Sequence, residues 1–435
     1  MPTRKGRAKL PVWRQIVRPH SCACGLLLLM LAPLAVGQTT KRITLDEAIQ
    51  LAAAHSPALK ATRTQIDQNK AQEVTANLRP NPVLAWDSQF IPLFDPSAFS
   101  TDYLSTQAQW DIGVGYLFER GKKRQHRLQA AQDSTAVTRS QVSDAERTLS
   151  FNVAQQFISV LLAESTLGYA TEALNSYQQT VDISNERYKA GDISEGDLLK
   201  IKLQTLQFQT DVNSARLAKV QALQSLRQLV GYEALPGDYD VVGELAYQPL
   251  KLNLDDLQAT ALRNRPDFAA AQKGVTAAHS QYTLAQANGK RDLNASFNYS
   301  RVAGINTGAF FFNMEMPIFD RNQGEIARTK FAEDQAQFTS TAADETVLTD
   351  VGNAFQAVNS ADEVVKLYVS GYLEQAKESR DITEYAYKRG AASLLDLLDA
   401  ERSYRGTELS YRQALATYMT NVEQLREAVG TRQLP

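Results

Sequence analysis

Cysteine is almost missing from these 435 residues: Cys22 and Cys24 are the whole complement. Beyond them the chain has no disulfide framework and no thiolate metal site. Histidine is scarce too. After His20 come His55, His126 and His279, and none is paired at ligand spacing, so a satisfied or solvated imidazole is the better reading of each. No Gly-rich phosphate loop, serine elbow or zinc-protease helix is present. With no nucleophile, metal cluster or acid–base pair at recognisable spacing, no catalytic, cofactor-binding or metal-binding residue is expected, and the chain does not read as an enzyme. No basic stripe with interleaved aromatics appears, so nucleic acid is not an expected partner. After residue 37 no run approaches about 18 consecutive apolar residues, which excludes transmembrane helices there.

The bases are unevenly placed. Residues 1–37 hold Arg4, Lys5, Arg7, Lys9, Arg14 and Arg18 and no acid. They lead into the apolar run 25–36 and the small residues Ala35, Val36 and Gly37 before Gln38, so residues 1–37 read as a secretory signal peptide. A retained anchor is the alternative, but the run falls short of the about 20 residues a span needs. Cys22 and Cys24 precede that run and are not placed to be a lipidated first residue of the mature chain. Without this segment the balance turns acidic.

What the chain does contain, it contains twice. Leu45–Asp46 and Leu254–Asp255 each open a helix, followed by Pro57 and Pro266. Phe118-Glu119-Arg120 answers to Phe319-Asp320-Arg321. Tyr188-Lys189-Ala190-Gly191 answers to Tyr387-Lys388-Arg389-Gly390, and Val230–Gly231 to Val429–Gly430. The offsets point to an internal two-fold repeat of roughly 200 residues. The expected segments are 38–231 as a first repeat, 232–253 as a linker, 254–430 as a second repeat and 431–435 as a tail.

Each repeat carries a pair of stretches alternating with period two, expected as strands over about 83–90 and 104–118, then 293–302 and 308–318. In 104–118, Trp110, Ile112, Val114 and Tyr116 share one face, while Gln107, Gln109, Asp111, Gly113 and Gly115 share the other. Leu84, Trp86 and Phe90 form the apolar face of 83–90. Phe297 alternates with Asn298, and Phe310 and Phe312 with Ala309, Phe311 and Asn313. Such strands, at about 9–11 residues, cross a bilayer with one face to lipid, although a soluble sheet packed on a core alternates as well. Four strands cannot close a barrel, and lipid does not tolerate an open edge. Eight strands from two chains would fill with side chains, whereas twelve from three leave a lumen, so a homotrimer sharing one barrel is expected.

The remainder reads as helix over 45–76, 121–230, 254–288 and 321–429. The proline-free stretch 121–189 would reach about 100 Å as one helix. Apolar positions recur at three and four, as in Ile183, Leu198, Ile201, Leu203 and Leu206, in narrow coiled-coil stripes. Each long stretch is expected to break once, at Gly191 and Gly390. Ser194 and Ser393 stand three residues on as N-caps, giving tips at about 188–197 and 387–396.

The two-fold repeat, the two strand pairs, Phe118-Glu119-Arg120-Gly121-Lys122-Lys123 after the first pair and Pro317-Ile318-Phe319-Asp320-Arg321-Asn322-Gln323-Gly324-Glu325-Ile326-Ala327 after the second resemble the TolC family of outer-membrane efflux proteins across about 45–430. The resemblance implies a mainly α fold with transmembrane β. A long α-helical coiled-coil barrel would cross the periplasm below a shared twelve-stranded barrel in the outer membrane. It implies that the tips, with Gly191, Ser194, Gly390 and Ser393, dock a periplasmic adaptor (membrane fusion) protein beneath which sits an inner-membrane transporter of RND type. It also makes 387–399 the periplasmic entrance gate. Asp396 and Asp399, three apart and so on one helix face, would form stacked carboxylate rings whose crowding raises some of their pKa values and attracts cations. On the residues alone, two solvated helix acids are the simpler reading. Tyr387 and Asp197 match positions that hold neighbouring helices together in the closed entrance. The chain departs from the family at Ala392, where better-known members carry a basic residue. The phrases around Arg120 and Arg321 look more like the heavy-metal-cation branch. A protein-secretion exit duct and a soluble periplasmic coiled-coil scaffold remain as alternatives.

Overall fold

A computed structural model describes residues 41–434; the expected signal segment 1–37 lies outside the described residues. The described residues start with β1 (Lys41–Ile43). Thr44 then caps α1 (Leu45–His55): Glu47 N donates to its hydroxyl at 3.3 Å, while Thr44 N donates to the Glu47 carboxylate at 2.8 Å. This reciprocal box satisfies two backbone donors that a helix start leaves open. Helix α2 (Pro57–Ala76) begins on a proline, whose missing N–H is harmless in a first turn. The helix expected over 45–76 is therefore two helices. Ser56, with ψ 120°, sits outside the α region because a following proline disfavours it.

Then come β2 (Val83–Gln89), the short helix α3 (Thr101–Thr106) and β3 (Gln109–Phe118). A 67-residue helix α4 (Lys123–Lys189) follows, about 100 Å long at 1.5 Å per residue, and α5 (Glu195–Val230) returns beside it. A similar series then recurs, without a helix between the strands and with the long helix divided, from β4 (Tyr239–Val241) through α6 (Leu254–Asn264), α7 (Pro266–Asn288), β5 (Leu293–Val302), β6 (Ile305–Asn313), α8 (Gln323–Leu367), α9 (Leu373–Lys388) and α10 (Leu394–Val429). Again a residue before proline, Arg265 with ψ 120°, divides what was expected as one helix over 254–288.

Three further expectations need correction. The strand expected over 104–118 begins at Gln109, because Ser100 caps α3 through the Tyr103 N–H (3.1 Å) and residues 104–106 are helical. Phe90, expected on the apolar face of the first strand, lies beyond β2 with φ 56°. The strand expected over 308–318 spans Ile305–Asn313 instead. Its start is set by the left-handed pair Ala303 (φ 48°) and Gly304 (φ 73°), a two-residue hairpin turn that pairs Val302 with Ile305. The second long helix also breaks above its tip. Tyr368–Tyr372 is a π segment between α8 and α9, with Gly371 at φ 131°.

Strands β2-β3-β5-β6 form one antiparallel sheet in that order, hydrogen-bonded on one side only at β2 and β6. The helices nearest the sheet pack in the order α2–α4–α7–α8, and those nearest the tips in the order α5–α4–α10–α9. Between these layers lie two apolar cores. One gathers Ile43, Ala48, Val153, Phe157, Leu226 and Val230; the other gathers Leu257, Val347, Val351, Val365, Leu425 and Val429. The segment 232–253, expected as a linker, is part of this packing. Its β4 pairs in parallel with β1, Leu235 and Tyr239 are buried, and the Tyr247 hydroxyl donates to Asp362 at 2.6 Å. The guanidinium of Arg265, 4% exposed, joins Asp267 (2.6 Å), Asp350 (2.9 Å) and the Ala428 carbonyl (3.4 Å). Burial alone would raise the Asp267 pKa, but the Arg265 donors and charge outweigh it and leave the carboxyl below its ordinary range.

Candidate functional site: the paired tips and the four-stranded strip

At the first tip α4 runs out at Lys189, and Gly191 takes φ 84°, the left-handed region a glycine enters without penalty. Ser194 then caps α5. Its hydroxyl accepts from Asp197 N (3.1 Å) and donates to the Asp197 carboxylate (2.9 Å), which also lies 3.5 Å from Lys200 Nζ. The second tip is built alike. Gly390 has φ 75°, and Ser393 and Asp396 form a capping box: Asp396 N donates to Ser393 Oγ (3.2 Å), and Ser393 N (3.0 Å) and Oγ (2.7 Å) donate to the Asp396 carboxylate. These Ser393 donors hold the Asp396 pKa below its ordinary value. Within the chain the shift is thus opposite to the rise expected from crowded carboxylates. Asp399 is exposed and lies 3.7 Å from Arg402 Nη1.

The tips meet through a residue passed over in the sequence. Arg187, in the last turn of α4, donates from Nη1 to the Tyr387 carbonyl at 2.8 Å and sets its guanidinium 5.0 Å from the Tyr387 ring centroid. In sequence it is one more base at a helix C-terminus, a placement the helix dipole alone explains. Tyr387 is 3% exposed, and its hydroxyl has no hydrogen-bond partner among the described residues. Tyr387 and Asp197 border one cleft of about 470 Å³, with Arg187, Asp192, Lys200 and Ser393, but no bond joins the phenol to that carboxylate. Ala392 packs on the cluster of Tyr177, Ile201, Phe208 and Leu397 beneath the tips. Behind it, Arg380 lies 3.8 Å from Glu384 and 3.9 Å from Glu401, over the Tyr404 ring. Burial raises the Glu401 pKa; Arg380 opposes this, and Glu384 and Asp381 add to it.

At the other end the register sorts the strip into two faces, because directly paired residues project the same way. Trp86 pairs with Ile112, Ile112 with Tyr299, Val114 with Phe297, Phe297 with Phe310, and Ala295 with Tyr116 and Phe312. Trp110 is two positions from Ile112. Trp86, Trp110, Ile112, Val114, Tyr116, Phe297, Phe310 and Phe312 therefore share one face, on which Trp86, Phe310 and Phe312 are each about 70% exposed. Asp87, Gln109, Asp111, Ser296, Asn298 and Ser300 share the other. Among the described residues no helix is long and apolar enough to cross a membrane.

A profile of the outer membrane efflux protein family matches residues 48–232 and again 257–431. The chain belongs to the outer membrane efflux protein family. This efflux protein is 25% identical over 374 residues to the cobalt-zinc-cadmium resistance protein CzcC of Cupriavidus metallidurans, covering 85% of each chain. It is 24% identical to the pyoverdine export outer membrane protein OpmQ of Pseudomonas aeruginosa, covering 89% of this chain and 85% of OpmQ. Its fold matches the crystal structure of the channel CusC with a TM-score of 0.74 at 19% identity, over 89% of this chain and 92% of that one. The efflux protein is thus an outer-membrane exit duct that extends into the periplasm, in a family of channels and not of enzymes.

Proposed function

We propose that three copies of this efflux protein close one continuous duct and pass metal cations outward from a periplasmic adaptor protein and an inner-membrane transporter of RND type. One observation carries the reading: every layer of the chain is an open strip of four. The sheet ends at β2 and β6, the upper helical layer at α2 and α8, and the lower at α5 and α9. Large apolar residues stand exposed along these helical edges, with Leu199, Leu203 and Leu206 on α5 and Phe331 and Phe338 on α8. Three strips supply twelve strands and a lumen, and burying each exposed leucine is worth about 2 kcal/mol. In this arrangement the aromatic face of the sheet meets outer-membrane lipid and the polar face lines water.

The entrance lies at the tips. Asp396 and Asp399 form its acidic rings, Tyr387 and Asp197 bond across neighbouring helices, and Gly191, Ser194, Gly390 and Ser393 sit in the turns that dock the adaptor. Likeness to CzcC favours metal cations as cargo, and likeness to OpmQ favours an exported small molecule as the second reading. Native mass spectrometry of detergent-purified protein should show a trimer; a stable monomer ends this reading. Deletion in the source strain should raise sensitivity to cobalt, zinc or cadmium. Loss of an exported compound with unchanged metal tolerance would transfer the cargo to the second reading.

A further inference from the structure

The polar face of the strip carries two acids directly opposite each other. Asp87 on β2 is the register partner of Asp111 on β3, Asp111 is the partner of Ser300 on β5, and Ser300 of Thr307 on β6. Like charges directly opposite weaken a strand pair, so this placement is unfavourable unless something compensates it. The donors that reach the two acids among the described residues are neutral. Gln89 Nε2 donates to Asp87 Oδ1 at 3.3 Å and Gln109 Nε2 to Asp111 Oδ2 at 2.7 Å.

Asp111 is 7% exposed, and its carboxyl lies beside the Ser300 hydroxyl and the Asp87 carboxyl. Its other oxygen, Oδ1, is buried with no hydrogen-bond partner among the described residues. A carboxylate oxygen shut off from water and left without a donor is unfavourable unless a positive charge faces it. The next pair on this face joins Gly113 to Asn298. Gly113 has no side chain, and a Cβ there would stand 2.0 Å from Asn298 Oδ1, so the Asn298 amide lies across it. Two carboxylates with a hydroxyl beside them, and no sulfur or imidazole, form a hard-oxygen donor set. Such sets suit Ca²⁺, which accepts irregular oxygen shells completed by water.

We propose that Asp87 and Asp111 form a binding site for a hard divalent cation, of the Ca²⁺ class, inside the outer end of the barrel. The site lies two residues, about 7 Å along the strand, from the end of β2. It rests on the reading that the polar face lines the lumen of a closed trimer. There, three copies place six carboxylates around one ring, where a bound cation narrows the exit and opposes the passage of other cations.

The test is single-channel current through the full detergent-purified protein in planar bilayers, titrated with CaCl₂ alone. Ca²⁺ should reduce the monovalent current of wild type saturably. Asp111→Asn and Asp87→Asn, near-isosteric changes that also remove the repulsion, should each raise the half-blocking Ca²⁺ concentration at least about tenfold. Asp102→Asn, on α3 outside the strip, should respond like wild type. Unchanged block in both barrel variants overturns the site. So does a current indifferent to Ca²⁺ that instead shows a protonation step abolished by Asp111→Asn, since the pair would then share a proton. The duct reading is checked separately. A water-soluble thiol reagent should reduce current through Ser296→Cys and not through Phe312→Cys. The reverse pattern, or no channels at all, refutes the duct or its facing, and the site with it.

Discussion

Replacing Arg187 by alanine should loosen the two tips of one chain from each other. The guanidinium makes one charge-assisted hydrogen bond to the Tyr387 carbonyl at 2.8 Å and covers the Tyr387 ring at 5.0 Å. A hydrogen bond to a charged group is worth about 1.5–3 kcal/mol, and a cation–π contact at a solvated site about 0.5–1 kcal/mol. The tip is partly solvated, which lowers the first, and about 2 kcal/mol is a reasonable total. If opening the entrance parts α4 from α9, that energy favours the closed state alone. Its removal should shift the closed-to-open ratio about thirtyfold, since each 1.4 kcal/mol is a factor of ten. Single-channel recording reads the change as longer or more frequent openings. Arg187→Lys retains the charge but loses the planar fork and the stacking, so it should fall between alanine and wild type. Arg187→Ala channels with wild-type gating would refute the reasoning, and would mean that the tips of one chain move together.

Tyr387→Phe tests the neighbouring expectation. Its hydroxyl has no partner within the chain, so the change should be silent unless a second chain supplies one; increased opening in the trimer would reveal that bond. Arg265→Ala should cost about 1–3 kcal/mol, because it leaves Asp267 and Asp350, each partly solvated, without their buried countercharge. A thermal unfolding midpoint within a degree of wild type would contradict that. For Glu401, burial raises the folded-state pKa, so its contribution to stability is complete below the ordinary glutamate value and lost as pH rises through the raised one. Glu401→Gln should therefore be more stable than wild type at pH 7, with the gap closing in acid; melting curves across that range that stay parallel would sink the assignment.

The nearest-neighbour chemistry of the chain was open to reading in advance. A glycine that breaks a helical pattern, followed three residues on by a serine able to cap the next helix, marked both tips at Gly191–Ser194 and Gly390–Ser393. Period-two alternation marked β5 within its observed bounds and placed the aromatic residues of the four strands, Phe311 excepted, on one face. Local signals also misled. Residues 104–106 alternate as a strand would but belong to α3, because the Ser100 cap and the turn after it outweigh pattern. The π segment around Gly371 has no periodic signature that distinguishes it from the helices on either side.

Sequence by itself determined the long helices, the rough positions of the four sheet strands, where the tips turn, and which strand face is apolar, because each depends on residues a few positions apart. Tertiary structure alone decided that Arg187 reaches Tyr387, that Asp87 faces Asp111, that Arg265 draws Asp350 to itself, and that every layer ends in two unpaired edges. Those facts join positions separated by a loop or by half the chain. Periodicity carries no information about such distances; only the packing of one element on another supplies it.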